Sequence, residues 1–391
     1  MTAALSLALL SGAIWIYLIV ARGGFWRAAE RDTRFAPEHI PAPAAWPRVI
    51  AVVPARDEAD VIAQSVGSLL TQTYPGDFSV VLIDDGSSDG TGDAAMNEAV
   101  KLDLADKLTI IRGTEPPAGW TGKLNAMATG VRHIEERGAP AYILFTDADI
   151  AYRDPQALER LVRGANAKGT VLTSLMVKLR CDSFSEKMLI PAFVYFFQKL
   201  YPFAWVNSST SKRAAAAGGC MLVKYDALHA AGGVGAIRGA LIDDCAMGAL
   251  LKSQGPIFLG LTEAVESIRP YDDFNHIRRM VSRSAYSQLD YSPLLLLGTT
   301  LGMIVTYLVP PYLAIAVEGW AGIIGAFVWA VMALSFQPIL RLYRRAPLWG
   351  VALPFIALVY LAFTFDSAVQ HWLGRGGAWK GRYQAAAGTG A

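Results

Sequence analysis

Charge is scarce in this chain. Only 17% of its 391 residues are Asp, Glu, Lys or Arg, while 53% are hydrophobic and the mean hydropathy is +0.33. Charged residues make up roughly a quarter of ordinary soluble domains, so this balance argues against an ordinary soluble enzyme. The 35 basic and 33 acidic residues leave a formal net charge of +2. That is too small for a protein that coats nucleic acid through a dominant basic field, and no nucleic-acid partner is expected. Cys181, Cys220 and Cys245 are odd in number and lack CxxC spacing, which speaks against a disulfide framework or a zinc cage and leaves three small buried hydrophobes. No GxGxxG is present. Gly122-Lys123 is not a Walker loop, because Pro117 stands at the earlier glycine position and no Ser or Thr follows the lysine. Gly86-Ser87-Ser88-Asp89-Gly90 has the form of a nucleophile elbow. None of the five histidines (His39, His133, His229, His276, His371) comes with an oxyanion segment, and acids crowd that strand end, so hydrolase chemistry is discounted.

Long apolar runs collect at the two ends. Residues 2–21 are uncharged, long enough to cross a hydrocarbon core of about 30 Å as one helix. No Lys or Arg precedes the run, so an uncleaved anchor over residues 1–22 is preferred to a signal peptide. Arg22, Arg27, Arg31 and Arg34 follow it and place the next segment in the cytoplasm. Residues 291–317, 319–340 and 346–365 are likewise free of charge, and Arg341, Arg344 and Arg345 mark the second of these connections as cytoplasmic. A crossing at 346–365 would export the basic tail 373–391, with Arg375, Lys380 and Arg382, so a re-entrant segment is the alternative and the expected total is three to five crossings.

Between residues 46 and 289 short β-branched runs alternate with helix-length segments, which predicts an α/β domain with a mainly parallel sheet. Strands are expected at 49–53, 79–84, 108–112, 141–146 and 170–177. Pro54-Ala55-Arg56-Asp57-Glu58, Asp84-Asp85-Gly86-Ser87 and Asp147-Ala148-Asp149 each follow a strand, gathering polar groups on the sheet edge where ligands bind in open α/β folds.

Asp147 and Asp149 point to one side of an extended strand end, because alternate residues do. Such a pair can hold Mg²⁺ or Mn²⁺, which completes its shell with water and substrate phosphates and so suits a nucleotide diphosphate; acids after a strand also commonly cap the next helix. Asp84-Asp85-Gly86-Ser87 can accept hydrogen bonds from a base or ribose, or form an Asx turn. Gly119-Trp120-Thr121-Gly122-Lys123 opens a helix with a cation beside backbone donors, a diphosphate contact. Asp243-Asp244 precedes a helix at 245–253, and adjacent carboxylates give one of them a raised pKa suited to general-base work. Arg279 and Arg283 lie one helical turn apart, able to face a diphosphate or anionic lipid heads. Residues 184–205 are rich in aromatics yet carry Lys187, Lys199, Pro191 and Pro202, which fits a segment lying along the headgroups, with a buried core helix as the alternative.

Together these blocks, with Val52-Val53 ahead of the first and Gly218-Gly219-Cys220 before Asp243-Asp244, resemble the GT-A catalytic domain of glycosyltransferase family 2, in its order over about 200 residues. Within it, Gly119-Trp120-Thr121-Gly122-Lys123, Leu200-Tyr201-Pro202-Phe203 and Trp379-Lys380-Gly381-Arg382 are most similar to the hopanoid-associated bacterial members, and more distantly the chain is similar to ceramide glucosyltransferases. The resemblance implies an inverting transfer from a nucleotide-diphosphate sugar, a UDP-sugar being expected, to a lipid hydroxyl such as a hopanoid alcohol. It implies nucleotide contacts at Pro54, Ala55, Glu58 and Asp85, and a diphosphate contact at Lys123. Metal is implied at Asp149 with Asp147 beside it, substrate near Gly219, and the base at Asp244 next to Asp243. A multi-pass protein of the bacterial inner membrane with a cytoplasmic catalytic domain follows. Many membrane members carry QxxRW, where this chain reads Arg279-Met280-Val281-Ser282-Arg283-Ser284: the arginine is kept and the tryptophan is not, which disfavours processive polymer synthesis. Polyprenyl-phosphate sugar transfer, polysaccharide synthesis and a non-catalytic sugar-nucleotide binder are the competing readings.

Overall fold

The computed structural model describes residues 2–375, so the tail motif Trp379-Lys380-Gly381-Arg382 lies outside the described residues. The chain begins with helix α1 (Ala3–Val20) and then builds one eight-stranded sheet from β1 (Val49–Ala55), β2 (Phe78–Asp84), β3 (Leu108–Arg112), β4 (Tyr142–Phe145), β5 (Ile150–Tyr152), β6 (Leu172–Lys178), β7 (Met221–Lys224) and β8 (Ile257–Ser267). Their order is β3-β2-β1-β4-β7-β6-β8-β5. The β1/β2, β2/β3, β1/β4 and β6/β8 pairs are parallel, and β4/β7, β6/β7 and β5/β8 are antiparallel. The sheet is therefore mixed, with the parallel part at the β3-β2-β1-β4 end. β1 is buried at all seven positions, as expected of a strand covered on both faces. From β1 the chain moves outward to β2 and β3, then returns to lay β4 on the other side. The β1/β4 carboxyl ends are thus a topological switch point, where a crevice opens.

Helices α2 (Ile62–Leu70), α3 (Thr91–Lys101), α4 (Gly122–Glu135) and α5 (Ala157–Lys168) follow the early strands. α4 sits unusually close to the sheet. A Cβ on Gly130 would fall 2.7 Å from Val52 Cγ1 and 2.8 Å from Ile83 Cδ1, so only glycine permits this approach. The N-cap Thr121 accepts from Leu124 N at 3.3 Å, and its own N–H donates to the Arg238 carbonyl at 2.9 Å, which fixes the end of α4 that carries Lys123.

The later part contributes α6 (Phe184–Leu200), α7 (Phe203–Val206), α8 (Tyr225–Ala230), α9 (Asp243–Lys252) and α10 (Phe274–Ser282). α6 begins with a capping box between Ser183 and Glu186. Residues 184–205 were expected along the headgroups, with a buried core helix as the alternative; α6 packs between the sheet domain and the apolar helices, with much of its length buried and Phe184 and Leu200 exposed at its ends. Its aromatics find ring and hydroxyl partners there. Tyr195 is fully buried, shares a 2.7 Å hydrogen bond with Ser335 and meets the Phe336 ring at 5.1 Å. Lys199 Nζ donates to Tyr307 OH at 2.8 Å.

The apolar helices are α1, then α11 (Pro293–Met303) and α12 (Val309–Ala316) joined through a π-helical turn at Ile304–Leu308, then α13 (Trp320–Ser335) with α14 (Gln337–Leu342), and α15 (Leu353–Trp372). Four segments, Ala3–Val20, Pro293–Ala316, Trp320–Leu342 and Leu353–Trp372, are long and apolar enough to cross a membrane. The π turn has a local cause. Pro310 lacks an N–H and its ring displaces the carbonyl four residues back, at Thr306, and that carbonyl accepts from Trp15 Nε1 of α1 at 2.8 Å.

Candidate functional site

A cavity of about 640 Å³ opens at the switch point. Pro54 and Glu58 border it after β1, Thr121 and Lys123 at the start of α4, Asp147 and Asp149 after β4, Asp243 at the start of α9, Arg269 and Tyr271 after β8, and His276, Arg279, Met280 and Arg283 on α10. Residues far apart in sequence reach one place because five strand or helix ends converge there.

Lys123 is its electrostatic centre. Nζ lies 2.7 Å from Asp147 Oδ1 and 2.9 Å from Asp243 Oδ2, with the lysine only 18% exposed. A cation in the first turn of a helix opposes the helix dipole, and burial alone would lower its pKa. The two carboxylates outweigh both effects and hold it firmly charged. Burial raises Asp147 despite Lys123. Burial would also raise Asp243, but Lys123 and then Arg283 carry it below the usual carboxylate range. Asp244 differs: burial and the neighbouring Asp243 charge push it up to about 6, against the N–H groups of Cys245 (2.7 Å) and Gly218 (3.1 Å). Asp244 does not line the cavity. It turns to Gly218 and lies near Tyr201, at the end of α6, whose phenol is pushed up chiefly by burial, with the Asp244 charge adding to it. Tyr201 in turn bonds Gln288 at 2.8 Å.

Arg269 is the residue that sequence reasoning missed. Its Nε lies 3.0 Å from Asp149 Oδ2 and its Nη2 pairs with Glu58, so the chain itself supplies a cation to the expected metal ligand. The polar run Ser267-Ile268-Arg269-Pro270 after an apolar stretch was the available signal. The loop is held by Glu186 Oε1, which accepts from Tyr271 N at 2.8 Å.

Other expected residues lie elsewhere. Ala55 and Asp85 are buried and do not line the cavity. Asp85 receives an ion pair from Arg56 at 3.6 Å, while Asp84 Oδ1 accepts from Ser87 N, an Asx turn. Gly219 does not line the cavity: a Cβ there would fall 2.9 Å from Val177 Cγ2, and its carbonyl accepts from Thr146 Oγ1 at 2.7 Å. Gly218 is the glycine beside the site, its Cβ position 3.3 Å from Lys123 Nζ and 3.6 Å from Asp244 Cβ. In the elbow-like loop, Ser88 contacts Asp57 Oδ1 through N and Oγ, so it is a turn residue.

Asp147 and Asp149 supply two carboxylates and, among the described residues, no cluster of three or more His, Cys, Asp or Glu gathers to cage a metal. Two carboxylates suit an ion that draws its remaining ligands from diphosphate and water. Such an ion would have to take Asp149 from Arg269.

Residues 50–231 match the model of the family described as Glycosyl transferase family 2. A Bacillus subtilis (strain 168) protein described as a probable glycosyltransferase, YdaM, is 31% identical over 124 residues. That stretch is 30% of this chain and spans 28% of the relative's length. Among solved structures, the mannosyltransferase PcManGT from Pyrobaculum calidifontis, in complex with GDP-Man and Mn²⁺, is 20% identical with a TM-score of 0.51, over 92% of this chain and 98% of that one. The likeness establishes the fold: a GT-A domain with apolar helices at both ends.

Proposed function

We propose that this chain, whose residues 50–231 match the Glycosyl transferase family 2 model, is a membrane-bound glycosyltransferase. It moves a sugar, with inversion, from a nucleotide diphosphate to a lipid hydroxyl, a hopanoid-type alcohol being the acceptor the sequence motifs favour. One observation carries this reading. A cavity at the switch point is lined by four cations, Lys123, Arg269, Arg279 and Arg283, and by the acids Asp147, Asp149 and Asp243, with a carboxylate of raised pKa, Asp244, next to Asp243 and against Gly218.

Lys123, Arg279 and Arg283 hold the donor diphosphate and neutralise charge as it leaves. A divalent ion held by Asp149 and Asp147 would add positive charge at the same oxygens. Arg269, which lines the same cavity and pairs with Asp149 and Glu58, would lie close enough to the diphosphate to add a further positive charge. The acceptor hydroxyl attacks the anomeric carbon, the bond to the diphosphate breaks, and Asp244 takes the hydroxyl proton; its pKa of about 6 leaves it ionised at neutral pH yet basic enough to accept. The acceptor would approach on the Asp244 side, beside Tyr201 at the end of α6.

Three segments cross: α1, α11–α12 and α13–α14. We read α15 as re-entrant. Before it, Trp349 meets Phe184 at 5.8 Å, and at its other end His371 stacks on Tyr291 at 4.2 Å while Ser367 Oγ accepts from Tyr286 N at 3.0 Å. Both ends thus touch the sheet domain or its exit. A 20-residue helix is about 30 Å long, and along the membrane normal it would carry one end to the far side. The far end of the bundle, where Ala8, Leu313 and Ala321 pack, holds no described residue of α15.

The test is release of UDP or GDP from sugar nucleotides by the nanodisc-reconstituted protein, with and without Mn²⁺, alongside mass spectrometry of membrane lipids from cells with and without it. Asp244→Asn should lower turnover by about 10²-fold or more, and Asp149→Asn by at least about tenfold. Parental rates in both variants would overturn the mechanism, and absence of any release would leave a binder.

A further inference from the structure

α10 has two faces with different partners. His276, Arg279, Met280 and Arg283, spaced i, i+3, i+4, i+7, line the cavity. Phe274, Arg278 and Ser282, four apart, lie on the opposite face, and each meets α15. The Phe274 ring is 5.1 Å from that of Phe363, Arg278 Nη1 is 2.7 Å from Asp366 Oδ2, and Ser282 Oγ donates to the Phe363 carbonyl at 3.1 Å. Asp366 is the one acidic residue of α15. A carboxylate in an apolar helix is costly without a partner, and besides Arg278 it has Gln370 Nε2 at 3.3 Å.

A nine-residue helix does not hold its own orientation in water. Asp273 caps its first turn by accepting from His276 N at 2.8 Å, which fixes where α10 starts but not its rotation. Rotation is set from behind, by α15. We propose that Asp366 is a positioning residue for the donor: by gripping Arg278 it fixes the rotation of α10 and so aims Arg279 and Arg283 into the cavity. This rests on the reading of that cavity as a sugar-nucleotide site. It goes further by assigning a role in donor binding to a residue of the apolar region that touches no substrate.

The experiment measures binding of UDP and GDP, each with Mn²⁺, to the full chain in nanodiscs by calorimetry, for the parent, Asp366→Asn, Arg278→Gln, their double variant and Asp366→Glu. Each single charge-removing variant should weaken the nucleotide Kd by about five- to tenfold, the scale of one misdirected charge-assisted hydrogen bond. The double variant should be no worse than either single one, and Asp366→Glu should restore most of the loss. A purely structural role would lower the unfolding midpoint without this pattern in Kd. Should Asp366→Asn fail to fold, Arg278→Gln carries the test, since Arg278 is a third exposed and lies outside α15. Unchanged Kd in the single variants, or additive losses in the double one, overturns the inference while leaving the catalytic reading intact. A parent that binds neither nucleotide overturns both.

Discussion

Asp243 and Asp244 are neighbours of one chemical type, and burial pushes both toward the neutral form; what separates them is Lys123, which touches Asp243 at 2.9 Å. One carboxylate is committed to an ion pair and the other is left basic. The consequence is a pH profile. As the proposed base, Asp244 would work only when ionised, so kcat/KM should rise with pH through about 6 and then level off. Asp243→Asn removes the like charge that raises Asp244, and the rising limb should move toward acid. Rates measured across this range with a fixed sugar nucleotide decide it: a flat profile, or a limb moved toward alkali in the variant, would remove Asp244 as the base.

Among the elements, α4 shows how packing sets chemistry, because its close approach at Gly130 brings the Lys123 end over the switch point. Gly130→Ala adds a methyl against Val52 and Ile83. Overpacking of this kind costs about 1–3 kcal/mol, and the better helix propensity of alanine returns only about 1. The unfolding midpoint should fall by a few degrees with donor binding weakened; an unchanged or raised midpoint would contradict the close approach. Much of this architecture was legible in the sequence. β1, β2, β3, β4 and β6 were expected within one or two residues, and the acids at their ends led to the cavity. The unread strands have physical reasons. β5 and β7 are three and four residues long, too short for periodicity. β8 is interrupted by Gly260, Thr262 and Glu263, which read as a break, and missing it hid Arg269. The spacing of Arg279 and Arg283 was visible, but the partner of Arg278 lies 88 residues away, beyond any local pattern.

For the whole molecule, composition alone announced the membrane, and charge placement raised the problem of the basic tail. The proposed reading of α15 as re-entrant would resolve it, since Trp349 ahead of the helix meets Phe184 and His371 near its other end stacks on Tyr291. A C-terminal tag should therefore lie on the catalytic side, labelled by membrane-impermeant reagents in inverted vesicles and protected in intact cells. The reverse pattern would make α15 a crossing helix. If the proposed topology holds, the cavity, the proposed base and the returning helix all face one surface of the bilayer, and a sugar would be attached only to lipids whose heads point that way. Each product molecule would then be born in a single leaflet, and because a sugar head rarely tumbles through hydrocarbon unaided, the two halves of the membrane would come to differ unless a separate translocating protein evened them out.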